Sequence, residues 1–146
     1  MNILVLQGPN LNLLGKKSSK IGQLVTLDKV NKALRRQVRN RDIDLKIFQT
    51  HHIEKLITTI QRQRNWADAI VLAPMAWARY EWALRETLVL VNIPTVQIFF
   101  TNEFDFGTNE NDSILTDICI QTLTDAPIEA FGRALEIQIT NHNSSK

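Results

Sequence analysis

Apolar and polar positions alternate along this chain in blocks that predict a regular succession of strands and helices. The first strand is expected over residues 2–7, because the apolar run from Ile3 to Leu6 ends abruptly at Gly8 and Pro9, as in a strand buried on both faces. Similar short runs predict the other strands at residues 43–48, 69–73 and 94–100, and a fifth at 118–120 with the residues next to it. Helical spacing of apolar residues predicts helices over about 27–39, 52–64, 79–91 and 127–139, with Thr26 as the cap of the first.

Five strands that alternate with helices predict an α/β fold, a doubly wound five-stranded parallel sheet with helices on both faces. The 146 residues suffice for one domain, which we expect to span 1–140, with 141–146 as a flexible C-terminal tail. Residues 8–25 and 102–113 are polar and predict two long loops. Loops of this length in a compact domain are usually functional or mobile.

Composition narrows the classes of function. Hydrophobic residues make up 44% of the chain and charged residues 22%, as in ordinary globular proteins, and a net charge of +2 is too small to indicate a nucleic-acid partner. No apolar run approaches the roughly 18 residues of a membrane span, and no secretory leader precedes the first strand. We therefore expect a cytoplasmic protein with no membrane partner.

Metal and thiol chemistry are not predicted. Cys119 is the only cysteine, which excludes an internal disulfide, and it lies in an apolar stretch without a base partner in the sequence. His51 and His52 have only His142, in the tail, as a further histidine, so a zinc site is not expected. His51 and His52 are either general acids near a pocket or simply residues at the start of a helix.

Candidate binding residues follow the strand ends. Asn10 and Asn12 lie just past the first strand, where open parallel sheets bind ligands, although asparagine also satisfies the backbone of turns. Arg79 is expected to begin a helix and either binds a carboxylate or forms a surface ion pair. The nearby lysines are either an anion-attracting lid or a solvated loop: Lys16, Lys17 and Lys20. A small anionic molecule is the predicted ligand.

The segment from Gly8 to Gly15, with the sequence GPNLNLLG, resembles the first-strand signature of the type II 3-dehydroquinate dehydratases. The similarity continues without gaps almost from end to end, through the following matching positions: 48–50, His52, 67–68, Pro74, Ala76, 83–85, 93–94 and Asn102. The resemblance implies a flavodoxin-like fold with strand order 2-1-3-4-5. It also implies a homo-oligomer, a trimer that assembles into a dodecamer.

Enzymes of that family remove water from 3-dehydroquinate without a metal or cofactor. A loop tyrosine, activated by an arginine, takes a proton; an asparagine stabilises the enolate; a histidine supported by an acidic residue protonates the leaving hydroxyl. Asn12 stands at the enolate-stabilising position of this chain. The other catalytic positions are substituted, with Gly22 for the tyrosine, Lys17 for the arginine, Gln97 for the acidic residue and Phe99 for the histidine.

When the chain is matched to this family, its substrate-binding positions are also substituted. The replacements are Ala73 for asparagine, Arg79 for histidine, Thr101 for serine, and Phe106 and Glu110 for basic residues, whereas Asn102 is kept. Because they follow strand ends, the side chains of Asn12, Arg79, Thr101 and Asn102 are expected to converge on one pocket.

Three functions remain open at this point. The first is a relative without dehydratase activity that keeps the assembly and an anion pocket. The second is a divergent working dehydratase, and the third is an enzyme of different specificity in the same crevice. The second would use His51, His52 or Tyr80 in new roles, and the third would hold an anionic substrate with Arg79 and Lys17. Several aromatic residues are expected to be buried between subunits, drawn from Trp77, Trp82, Phe99, Phe104 and Phe106.

Overall fold

A five-stranded parallel sheet forms the centre of the structure, a computed structural model that describes residues 1–146 except the side chain of Asn102. Its strands are β1 (Asn2–Gln7), β2 (Asp44–Gln49), β3 (Ala69–Ala73), β4 (Thr95–Phe100) and β5 (Gln121–Asp125). The order across the sheet is β2-β1-β3-β4-β5, and all neighbouring pairs are parallel. This confirms the predicted flavodoxin-like α/β fold.

Helices cover both faces of the sheet, and the bounds are α1 (Leu14–Ser19), α2 (Leu27–Gln37), α3 (Ile53–Gln63), α4 (Trp82–Val91) and α5 (Pro127–Ser144). Thr26 caps α2 as predicted, because its side chain accepts a hydrogen bond from the backbone N–H of Lys29. Helices α1, α2 and α5 pack on one face, and α3 and α4 pack on the other. Among the residues described, no helix is both long and apolar enough to cross a membrane.

The two cores explain why β1 and β3 are apolar at nearly every position. Ile3 and Val5 face the core shared with α2 and α5, whereas Leu4 and Leu6 face the core shared with α3 and α4. All four side chains are completely buried. A strand in the middle of a doubly wound sheet has no solvent face, so it cannot alternate apolar and polar residues.

Four boundaries differ from the sequence predictions. Helix α1 lies inside the segment predicted as a loop over 8–25, and Met75–Arg79 forms a separate 3-10 helix before α4. Residues 118–120 precede the last strand rather than forming it, because Thr116–Ile118 is a 3-10 turn and β5 begins at Gln121. Helix α5 continues to Ser144, well beyond the predicted end near 139.

Candidate functional site

The carboxyl ends of β1 and β3 are held together by a backbone contact at Gly8. Its N–H donates to the carbonyl oxygen of Ala73 at 2.9 Å. A Cβ atom at Gly8 would lie 2.8 Å from the carbonyl oxygens of both Ala73 and Pro74, so only glycine permits this approach. The following residues therefore start directly above the junction of the two strands.

Asn10 links this junction to the end of β2. Its backbone is in the left-handed region, with φ of 69°, a conformation that asparagine tolerates better than most residues. Its N–H donates to Nδ1 of His51 at 3.1 Å. The imidazole of His51 accepts this bond through an unprotonated nitrogen, so its remaining proton is on Nε2. His52 is exposed and precedes α3 without a side-chain cap, whereas His51 touches the site.

Ser18 determines which way the lysines of α1 face. Its buried Oγ lies 2.8 Å from the carbonyl oxygen of Val25 and 2.9 Å from the N–H of the same residue, so it joins α1 to the segment before α2. Leu14, one turn earlier, is also completely buried. With that face of the short helix turned inward, the lysine side chains project from the other faces.

Those lysines line a cleft of about 510 Å³ between α1 and the loop after β4. The lining consists of Asn10, Leu13, Lys16, Lys17, Lys20, Asp105, Phe106 and Gly107. The ring of Phe106 packs edge to face against Phe100, with centroids 6.2 Å apart, which anchors this wall to the sheet. The cleft lies within the range of about 300–1,000 Å³ that is typical of small-molecule sites.

The interior of the β4 end holds a buried amide network instead of titrating groups. Gln97 is completely buried, and its Nε2 donates to the hydroxyl oxygens of Thr116 and Thr122, both at 2.8 Å. Its Oε1 accepts from the hydroxyl of Ser113 at 2.9 Å. Phe99, two positions along, is 1% exposed. Neither side chain can supply or take up a proton at this end of the strand.

The other predicted site residues are dispersed. Asn12 is exposed in the 3-10 turn Leu11–Leu13, and of the described residues it is not among those that line the cleft, whereas Asn10 and Lys17 are. Gly22 is exposed with φ of 76°, and no atom lies within 4 Å of the position that its Cβ would take. Ala73 is fully buried at the end of β3.

Thr101 and Asn102 follow β4 directly, as predicted. The N–H of Thr101 donates to the carbonyl oxygen of Asp125 at 3.1 Å, and its own carbonyl accepts from Phe104. The backbone of Thr101 therefore links the end of β4 to the end of β5. The side chain of Asn102 lies outside the described part of the structure, so its predicted binding role is not placed.

Arg79 has a different position from the one predicted. It ends the 3-10 helix Met75–Arg79 and does not begin α4, whose first residue is Trp82. Its Nη2 donates to the carbonyl oxygen of Gly107 and lies 3.7 Å from a carboxylate oxygen of Asp112. The expectation that Arg79 begins a helix is therefore wrong, whereas its expected role in anion binding stays a prediction.

A second arginine, which the sequence did not single out as functional, holds the same loop. Arg85 on α4 donates to the carbonyl oxygen of Ile114 at 2.6 Å and forms two bonds to the carboxylate of Asp117, at 2.5 and 2.9 Å. The hydrogen bond from Arg85 lowers the pKa of the Asp117 carboxyl below its usual range. Its only signal in the sequence was its place among the positions shared with the type II dehydratases.

Two further reactive side chains, those of Tyr80 and Cys119, are not among the described residues that line the cleft. Tyr80 is 56% exposed just before α4. Burial raises the pKa of the Cys119 thiol to about 12, so it carries no thiolate at neutral pH. Within the described residues, no three histidine, cysteine, aspartate or glutamate side chains are grouped as metal ligands.

Comparisons with known proteins agree with this fold. The family model described as Dehydroquinase class II matches residues 1–139. The chain is 29% identical over 136 residues to a 3-dehydroquinate dehydratase of Dictyoglomus turgidum, covering 93% of this chain and 94% of that protein.

Two solved structures are similar over nearly the whole chain. The type II dehydroquinase of Propionibacterium acnes superposes with a TM-score of 0.81 at 26% identity, covering 95% of this chain and 96% of the other. That of Butyrivibrio crossotus superposes with a TM-score of 0.82 at 24% identity, covering 94% and 97%.

Proposed function

This chain belongs to the class II dehydroquinase family, and we propose that it has lost dehydratase activity while keeping the family fold and a cleft for small anions. The observation that carries the proposal is Phe99. It occupies the position where the resemblance expects the general acid, its ring is 1% exposed, and it has no proton to donate.

The base position supports the same proposal. The resemblance expects a tyrosine at Gly22, where the backbone has φ of 76°, a conformation that side chains other than glycine rarely adopt. Lys17, at the position of the activating arginine, retains a positive charge but lacks the planar guanidinium. A positioned acid or base contributes about 10²–10⁴ in rate, so the loss of both leaves little catalysis.

The hydrogen bonds of Gln97 on β4 also support the proposed loss of activity. A carboxylate in its place would accept hydrogen bonds and orient a histidine at position 99. The amide instead uses both of its donors and its acceptor on Thr116, Thr122 and Ser113. The polar groups at the end of β4 therefore hold the following loop in place and are not free to assist proton transfer.

The retained part of the proposed function is anion binding. Three lysines and one aspartate line the cleft, a formal charge of +2. Within the described structure none of these lysines forms an ion pair. Unpaired cations around a concave surface attract anions, and low-dielectric walls strengthen that attraction. The apolar lining from Leu13 and Phe106 would hold the carbon part of such a ligand.

The test is an assay with 3-dehydroquinate, following the absorbance of the enone carboxylate product. We expect no turnover above background from protein made in a host that lacks its own dehydroquinase. Turnover within the common enzyme range of about 1–10³ s⁻¹ would overturn the proposal. A Lys17→Ala variant is the control for contamination, because Lys17 lines the cleft and a trace activity that belongs to this chain should fall in the variant.

One contact favours a second candidate, a divergent working dehydratase. His51 is bonded to the backbone of Asn10, which lines the cleft, and it carries its remaining proton on Nε2. His51 is therefore the histidine whose contact reaches the lining of the cleft, and under this alternative it would take part in proton transfer there. If turnover is found, His51→Gln should abolish it under this alternative, whereas His52→Gln should leave it close to wild type.

A further inference from the structure

The electrostatics and shape of the cleft specify more than anion binding. We propose that its ligand is a planar ring compound carrying two negative charges, such as an aryl phosphate or a ring dicarboxylate. This inference rests on the proposed function, because it names the ligand class of the same cleft.

The charge of the ligand follows from the lysines. Lys16 and Lys20 are four residues apart on and just after α1, so their ammonium groups share one side of the helix and repel each other. Lys17 adds a third positive charge to the lining. A ligand with one negative charge leaves the cleft positive, whereas a dianion neutralises the formal charge of +2 and relieves the repulsion.

Asp105 already counts as one negative charge in the formal total of +2, and within the described part of the chain its carboxylate is not bonded to any of the three lysines. Its Oδ1 accepts a hydrogen bond from the backbone N–H of Gly107, so the carboxylate shapes its own loop. Among the residues described, it forms no ion pair with a lysine. The positive charge of the cleft is thus left for a ligand to balance.

The ring follows from the two apolar side chains. Leu13 comes from the turn after β1 and is 49% exposed, whereas Phe106 comes from the loop after β4. The edge-to-face contact with Phe100 holds the ring of Phe106 in one orientation. An oriented aromatic ring packs against a second ring with defined geometry, while a flexible chain loses more conformational entropy on the same surface. Asn10, which also lines the cleft, offers an amide to a polar substituent on the ring.

Calorimetric titration with three probes tests the inference: phenyl phosphate, benzoate and inorganic phosphate, at pH 8 and low salt. Phenyl phosphate combines the ring with two charges, benzoate has the ring with one charge, and inorganic phosphate has two charges without the ring. We expect phenyl phosphate to bind about tenfold more tightly than either of the others. The double variant Lys16→Gln with Lys20→Gln should reduce the affinity for phenyl phosphate about tenfold and that for benzoate less.

Lys55→Gln is the matched control, since this exposed lysine lies on α3 on the opposite face of the sheet. It should bind all three probes as wild type does. Equal affinity for benzoate and phenyl phosphate would overturn the inference, and so would equal affinity for inorganic and phenyl phosphate. Either result would leave a catalytically inactive anion binder standing. Absence of binding for all three probes would overturn the inference and remove the anion cleft from the proposed function. Dehydratase turnover is measured separately, and finding it would overturn the proposed loss of activity.

Discussion

Arg79, at the end of the 3-10 helix Met75–Arg79, forms an ion pair with Asp112 in the loop that follows β4, with Nη2 3.7 Å from a carboxylate oxygen. The same guanidinium donates to the carbonyl oxygen of Gly107 in that loop. Gly107 lines the cleft, and of the described residues Arg79 does not. The arginine therefore acts on the cleft through the loop that forms one of its walls, and not as a direct ligand.

The first prediction concerns this loop. Arg79→Met should raise amide exchange over residues 105–113, because the loop loses both contacts, and should lower the free energy of unfolding by no more than about 1 kcal/mol, as for other exposed pairs. Arg133→Met is the control, since Arg133 on α5 forms a similarly exposed pair with Asp125 at the end of β5. Loss of anion binding in Arg79→Met with unchanged exchange would show that Arg79 binds the anion directly.

The contacts of Arg79 could not be predicted from the sequence, unlike the central strands. Strands β1 and β3 were predictable because burial on both faces requires continuous apolar runs. The engagement of Arg79 depends on Gly107 and Asp112, which are distant in the sequence and lie in a loop without periodicity. No local pattern carries that information.

The errors in the elements have similar local causes. Helix α1 buries only Leu14 and Ser18. Because the second of these is polar, the segment lacks the pair of apolar residues one turn apart that would have indicated a helix. Strand β5 is an edge strand, and four of its five residues are polar, with Leu123 buried between them. The more apolar residues before it, Ile118 and Cys119, pack on the core beside α4 without extending the sheet.

The second prediction concerns repair of the catalytic positions. The triple variant Gly22→Tyr, Lys17→Arg and Phe99→His should remain at least about 10²-fold below ordinary enzyme turnover. The new histidine would lie in a buried position beside Gln97, whose amide is already committed, and the new tyrosine would require a positive φ. Steady-state assays with 3-dehydroquinate measure this. Adding Gln97→Glu is the informative comparison, and near-normal rates in either variant would show that the rest of the crevice is intact.

The third prediction concerns acid stability. The pKa of Asp117 is lowered in the folded protein by its hydrogen bond with Arg85, and the ordinary value for aspartate is about 3.9. The pair therefore stabilises the fold above about pH 4, and this contribution is lost as the pH falls through the lower folded-state pKa. Urea unfolding measured from pH 7 to pH 2.5 should show a shallower loss of stability for Asp117→Asn than for wild type.

Arg85→Met separates the two roles of that arginine. It removes the pair and also the bond to the carbonyl oxygen of Ile114. We expect the same shallower acid profile as in Asp117→Asn, displaced to lower stability at every pH. Acid profiles that match wild type in both variants would mean that Asp117 has no lowered pKa.

The fourth prediction concerns assembly, and the structure changes which residues it involves. Trp77, Phe99 and Phe104 are each less than 5% exposed within one protomer, so they cannot form a subunit contact in this conformation. Trp82 is 64% exposed and Leu90 76%, and both lie on α4, two turns apart on its outer side. Large apolar side chains exposed together on one helix are characteristic of an interface.

We expect light scattering at micromolar concentration to report a trimer or a multiple of it for wild type, as the family resemblance implies. Trp82→Glu and Leu90→Glu should each shift the protein toward smaller species, because a buried carboxylate without a partner opposes association. Lys55→Gln, on the exposed side of α3, makes the same change of one charge unit away from α4 and should leave the mass unchanged. A wild-type protein that stays monomeric would contradict the prediction. An assembly that withstands both α4 substitutions would mean that its subunits meet through another surface.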